Sequence, residues 1–166
     1  MKSPAIDLFD RPFTSHDAVV FFKLTEGAVG KPLSRWRETY ADGIVLDFGQ
    51  LAPRPKSTKP IVVPDRGEWM ISTWGCDLAF RESPGEPTVE AFDEIKRSLN
   101  ARTGRHIRSL GIDPLDLSLS IQLDDDSEFL LQTDRDDPEL DQWFITTPSG
   151  RSIVASASGT WSYCEN

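Results

Sequence analysis

The chain has 166 residues, 38% hydrophobic and 27% charged, enough apolar material for a single domain spanning residues 1–166. Its net charge of −9 argues against a protein that binds nucleic acid directly or lies on a membrane surface, because a phosphate footprint needs clustered Lys and Arg. Two cysteines and two histidines are too few for a disulfide framework or a Cys-rich zinc module, and no stretch approaches the roughly 18 apolar residues of a membrane span or forms an apolar signal core after Met1, so a soluble, cytoplasmic protein without cofactor or metal is expected.

The first patterned segment, Ala18 to Leu24, reads as a buried strand, with one helical turn begun by Ser15 and Asp17 as the alternative. Ile44 to Phe48 alternates, with Ile44, Leu46 and Phe48 on one face and Gly43 and Gly49 bracketing it. Residues 52–66 hold Pro53, Pro55, Pro60 and Pro64 among basic residues with no periodicity, which predicts a long exposed loop. Glu68–Ser72 and Asp77–Phe80 resume β-like patterning. A helix is expected over 88–103, capped by Thr88 and stopped by Gly104, with Val89, Phe92, Ile95 and Leu99 as its apolar stripe.

Leu117, Leu119, Ile121 and Leu123 then share one face of a strand, Asp124 to Ser127 form a polar turn, and Glu128–Gln132 return as a hairpin. Gln142–Thr147 is a further β run, Pro148–Arg151 a turn and Ser152–Ala155 the start of another strand, so the last third reads as an antiparallel meander. An internal duplication is suggested at about 18–80 and 99–163. Glu68–Thr73 matches Gln142–Thr147 at an offset of 74 residues, Gly30–Leu33 matches Gly104–Ile107 at the same offset, and the alternating runs from Ile44 and Leu119 coincide at 75. The expected fold is α+β: β-rich antiparallel meanders, built as two similar β halves packed together, with one helix near 88–103.

All of the charge imbalance is local. Residues 113–141 sum to −10 and the rest of the chain to +1. Crowded acids repel one another, and a cationic partner relieves that cost. A solvated acidic loop and a cation site are the other readings of the same residues. An EF-hand fails, because a loop begun at Asp124 puts Phe129 where Gly is needed and Arg135 where the bidentate Glu belongs. No Gly-x-Ser-x-Gly, P-loop or His-Glu-x-x-His pattern occurs, and Cys76 in its apolar setting reads as packing, so catalysis is not expected.

The segments Gly104-Arg105-His106-Ile107, Asp116 to Leu123, Trp143 to Gly150 and Gly159-Thr160-Trp161-Ser162-Tyr163 carry a resemblance across residues 99–163. This stretch resembles a broad group of small bacterial proteins, some of which look like immunity proteins of polymorphic toxin systems. It departs from them at Asp124-Asp125-Asp126, where a glycine is common in the turn. The resemblance implies a binding role and no catalytic residues. The functional expectation is a non-catalytic binder that neutralises a basic toxin or nuclease through an acidic surface made of Asp124, Asp125, Asp126, Glu128, Asp134, Asp136, Asp137 and Glu139, with Trp161 and Trp36 as partly exposed aromatic contacts. The alternatives are a small-ligand or regulatory binding module, and an acidic mimic of nucleic acid.

Overall fold

The computed structural model describes residues 13–52, 66–134, 136, 140–156 and 159–165. The expected loop between Ala52 and Arg66 lies outside them, although its two ends meet as an antiparallel bridge. Two helices and ten strands follow in the order α1 (Ser15–Thr25), β1 (Leu33–Glu38), β2 (Ile44–Phe48), β3 (Trp69–Thr73), β4 (Asp77–Arg81), α2 (Phe92–Arg102), β5 (Ile107–Ile112), β6 (Leu119–Leu123), β7 (Glu128–Gln132), β8 (Asp141–Thr146), β9 (Arg151–Ser156) and β10 (Trp161–Glu165). The architecture is therefore α+β and β-rich. All pairings between strands are antiparallel, in a six-stranded sheet ordered β1-β2-β3-β8-β9-β10 and a four-stranded sheet ordered β4-β7-β6-β5.

The strand expected at Ala18–Leu24 is instead the body of α1. Local chemistry decides this: Thr14 accepts from the Asp17 backbone N–H at 3.3 Å, and Asp17 accepts from the Thr14 backbone N–H at 2.8 Å. That reciprocal capping box satisfies two donors that a helix start otherwise leaves open, and the β-branched Val19-Val20 pair does not outweigh it. The second helix is shorter than expected. Thr88 does not cap it; Val89 is in an antiparallel bridge to Phe80 instead, and α2 starts after Ala91 with no side-chain cap. Ile95 and Leu99 are its buried residues, and Gly104, at φ 93°, ends the helical run as expected.

The expected C-terminal meander is divided between the sheets. β6 and β7 form the hairpin in the four-stranded sheet, whereas β8 pairs with β3 and carries β9 and β10 into the other. The reason is an exchange of strands. The chain runs α1-β1-β2-β3 and then sends β4 to pair with β7; it runs α2-β5-β6-β7 and then sends β8 to pair with β3. The order β1-β2-β3-β8 thus repeats as β5-β6-β7-β4.

Hydrogen bonds at the junction of the two sheets follow the same relation. Gly30 N–H donates to Ile107 O and Gly104 N–H to Leu33 O, both at 2.7 Å; Leu33 N–H donates to Arg105 O and Ile107 N–H to Lys31 O. Each bond has its counterpart 74 residues along the chain. The matches of Gly30 with Gly104 and of β2 with β6 therefore fall on equivalent elements. The match of the two Trp strands does not: β3 corresponds to β7, and β8 to β4, so Trp69 and Trp143 lie on non-equivalent strands that happen to be neighbours in one sheet.

Both sheets and both helices bury side chains in one cluster, which includes Phe21 of α1, Ile95 and Leu99 of α2, Trp69, Trp143 and Ile145 from the larger sheet, and Ile121, Phe129 and Leu131 from the smaller. Trp143 places its indole against Phe21 and donates to Leu117 O at 2.8 Å, tying α1, the larger sheet and the entry to β6 together. β2 is buried on both faces. Asp47, on the face away from Leu46, is fully covered and accepts from Arg35, Arg37 and the Gly67 N–H.

Candidate functional site

The acids singled out by sequence do not form one surface. Asp124, Asp125 and Asp126 sit at the β6–β7 turn, where Asp126 adopts φ 68°, a left-handed conformation that Asp tolerates better than most residues, so the turn does without glycine. Bases from the α2–β5 segment reach all three. Arg102 lies 3.5 Å from Asp125, Arg105 lies 3.9 Å from both Asp124 and Asp125, His106 Nδ1 is 3.2 Å from Asp124, and Arg108 pairs with Asp126 and donates to Asp124 O. Glu128 faces Arg81 across the β4–β7 pair at 3.9 Å. The charge of the turn is thus largely answered within the fold.

Asp134 and Asp136 lie at the other end of the hairpin, past the last residue of β7. Asp134 N–H donates to Gln142 Oε1 at 2.7 Å, and its carboxylate accepts from Asp136 N–H. Asp137 and Glu139 lie outside the described residues. Trp161 is a correction: it is only 2% exposed, packed in the core with its ring 5.6 Å from that of Phe13, because β10 pairs with β9 in a register that turns Trp161 inward beside Ala155. Trp36 is half-buried and its indole donates to Asn100 of α2 at 2.8 Å, so it too is committed to the fold.

The exposed tryptophan is Trp74, 58% accessible, which sequence reading passed over. It lies where the chain leaves the larger sheet for the smaller one. Its backbone N–H donates to Gln142 O and that of Gly75 to Asp141 O, so the β3–β4 crossover runs against the start of β8. The approach is close enough to need glycine: a Cβ on Gly75 would stand 2.5 Å from the Leu140 side chain and 3.0 Å from Asp141 O. Held in this way, the indole meets Phe144 edge-on, with ring centroids 6.4 Å apart.

Trp74 is shared by two clefts. One, of about 430 Å³, runs toward the start of α2 and is lined by Asp42, Cys76, Asp77, Glu90 and Phe92 among others. The second, of about 390 Å³, lies on the outer face of the larger sheet between Val45, Ser72, Phe144 and Asp141. Among the described lining residues neither contains Lys or Arg. Tyr40, 94% exposed, stands in the β1–β2 connection between Thr39 and Asp42, which line the two clefts. Burial pushes the thiol of the partly buried Cys76 up to about 12, so at neutral pH it is uncharged. Among the described residues no three His, Cys, Asp or Glu side chains converge as a metal site requires, and no helix is long and apolar enough to cross a membrane.

No family model matches this chain. Neither the curated proteins nor the solved structures contain a significant match. The functional reading therefore rests on the chain itself.

Proposed function

We propose that this protein is a non-catalytic binding protein of the immunity type, which neutralises a basic toxin or nuclease in the cytoplasm by stoichiometric binding. The observation that carries this reading is the crossover face: exposed Trp74 shares its two clefts with Asp42, Asp77, Glu90 and Asp141, and exposed Tyr40 lies in the short turn that supplies Asp42. Exposed aromatics are the residues that most often anchor protein interfaces. Carboxylates around them steer a basic partner and speed its encounter. The contact surface is accordingly moved from the β6–β7 turn, whose acids already have partners, to the opposite end of the hairpin and the crossover beside it.

The test is capture of a basic partner at low salt, followed by reconstitution with the purified proteins. A 1:1 complex that abolishes the partner's activity, and that Trp74→Ala with Asp141→Asn weakens, is the expected result. An inhibitory complex untouched by those changes but lost with Asp124, Asp125 and Asp126 all changed to Asn returns the contact to the turn. If no basic protein is held stoichiometrically, the immunity reading fails. The clefts favour one other reading, a small-ligand binding module, in which a metabolite raises the melting temperature of the isolated protein. Mimicry of nucleic acid has less support, because the densest run of acids is interleaved with Arg102, Arg105 and Arg108 instead of standing as a free row.

A further inference from the structure

The larger cleft has an acidic and aromatic lining. Its described charged residues, Asp42, Asp77 and Glu90, are all acidic, and its apolar wall is made by Trp74, Leu78, Phe92 and Ile95. Among the described residues none of these three carboxylates is in an ion pair, whereas Asp124, Asp125 and Asp126 all are. Lys96, on the same helix as Phe92, is held by Glu38 at 3.1 Å and Asp93 at 3.2 Å. The helix thus does not send that cation across to the cleft's own acids.

An exposed indole beside uncompensated carboxylates suits a guanidinium better than an ammonium. The guanidinium is planar, stacks on an aromatic face, sheds water more readily and presents a fork of donors to carboxylates at its edge. The volume of about 430 Å³ falls within the roughly 300–1,000 Å³ of small-ligand sites, room for one long side chain with its remaining water. We propose that the Trp74 cleft receives an arginine side chain of the basic protein partner, stacked on the Trp74 ring with its charge met by Asp77, Glu90 and Asp42. This rests on the binding role proposed above and names the anchor that the partner inserts. Arginine acts there as a central contact, and the acidic surroundings supply the approach.

The test uses the whole protein labelled with 5-fluorotryptophan, whose Trp74 resonance is assigned by its loss in Trp74→Phe while the other four stay dispersed. The probes are acetyl-Gly-Arg-Gly-amide, its Lys and Gln counterparts, and spermidine. Expected is a saturable shift of the Trp74 resonance alone, tighter for the Arg peptide than for the Lys peptide, absent for Gln, and weakened by salt. Asp77→Asn and Glu90→Gln should each weaken Arg-peptide binding about two- to five-fold, the range for partly exposed ion pairs. No Trp74 shift with the Arg peptide, an equal shift with Gln, or tighter binding of spermidine would overturn the assignment. The two levels fail separately. Arg-peptide binding without any protein partner would keep the arginine cleft and sink the immunity reading; an inhibitory complex indifferent to Asp77→Asn and Glu90→Gln would do the reverse.

Discussion

Asp125 shows why a run of acids in a sequence is a poor guide to free charge. Burial pulls its carboxyl upward, but two hydrogen bonds from Ser127 and the charges of Arg102 and Arg105 outweigh this and hold it below its ordinary 3.8. A carboxyl lowered by folding stabilises the fold above its unfolded value and loses that contribution as the pH falls through the folded one. The turn should therefore be at full strength at neutral pH and weaken as the pH drops below about 3.8; Asp125→Asn should flatten the acid limb of a stability-against-pH curve, while leaving stability less dependent on pH in that window. An unchanged limb would mean that Asp125 gains nothing from its neighbours. Cys76 offers a second check at this scale. With its thiol pushed up to about 12 by burial, iodoacetamide at pH 8 should alkylate it far more slowly in the native protein than in denaturant, as peptide mapping would read. Sequence read Cys76 as packing, and the side chain does pack against the core, although it is only partly buried and also lines the larger cleft. It missed the fates of Trp161 and Trp74, because exposure of a tryptophan is decided by strand register and by the crossover, neither of which is written in the neighbouring residues.

At the scale of elements, the legible parts were those in which one periodicity had no competitor. The β6–β7 hairpin could be drawn from Leu117 to Gln132, and even the departure at Leu117 leaves its side chain in the core, with the backbone at φ 61° just before β6 begins. Residues 18–24 carry an apolar run that either period accommodates, and the deciding information lay in a cap just upstream of the run. Thr14→Ala should cost about 1 kcal/mol through loss of that capping box, measured by denaturant unfolding. A cost near zero would mean that packing of Phe21 against Trp143 alone defines the helix. The position of Asp47 was likewise hidden. Alternation correctly assigned it to the face away from Leu46, but full burial there depends on Arg35 and Arg37 from β1 and the backbone of Gly67, which are brought in by pairing and not by pattern.

For the whole molecule, the two sheets share one buried cluster, so they should unfold together. The tryptophans make this testable. Trp36, Trp69, Trp143 and Trp161 belong to the larger sheet and Trp74 to the crossover, so the smaller sheet carries none. Truncating its core with Ile121→Ala should cost about 2–5 kcal/mol. The fluorescence midpoint, which reports the larger sheet, should move as far as that of circular dichroism. Separate midpoints would show two independent units. Here sequence and topology agree only in part. The offset of 74 to 75 residues links Gly30 with Gly104 and β2 with β6, which hold corresponding places in the two strand orders. The matched Trp strands do not, because the third strand of each run is followed by one that crosses to the other sheet.

The exchange has a consequence for synthesis. When a ribosome has released everything up to β4, that strand has no neighbour in its sheet and β3 has one open edge, since their partners β7 and β8 are still to be made. Chains grow at about 5–20 residues per second. The growing polypeptide must therefore carry unpaired, partly apolar strands for on the order of 3–13 seconds until β8 emerges, a window in which neighbouring nascent chains on the same message can pair with one another instead.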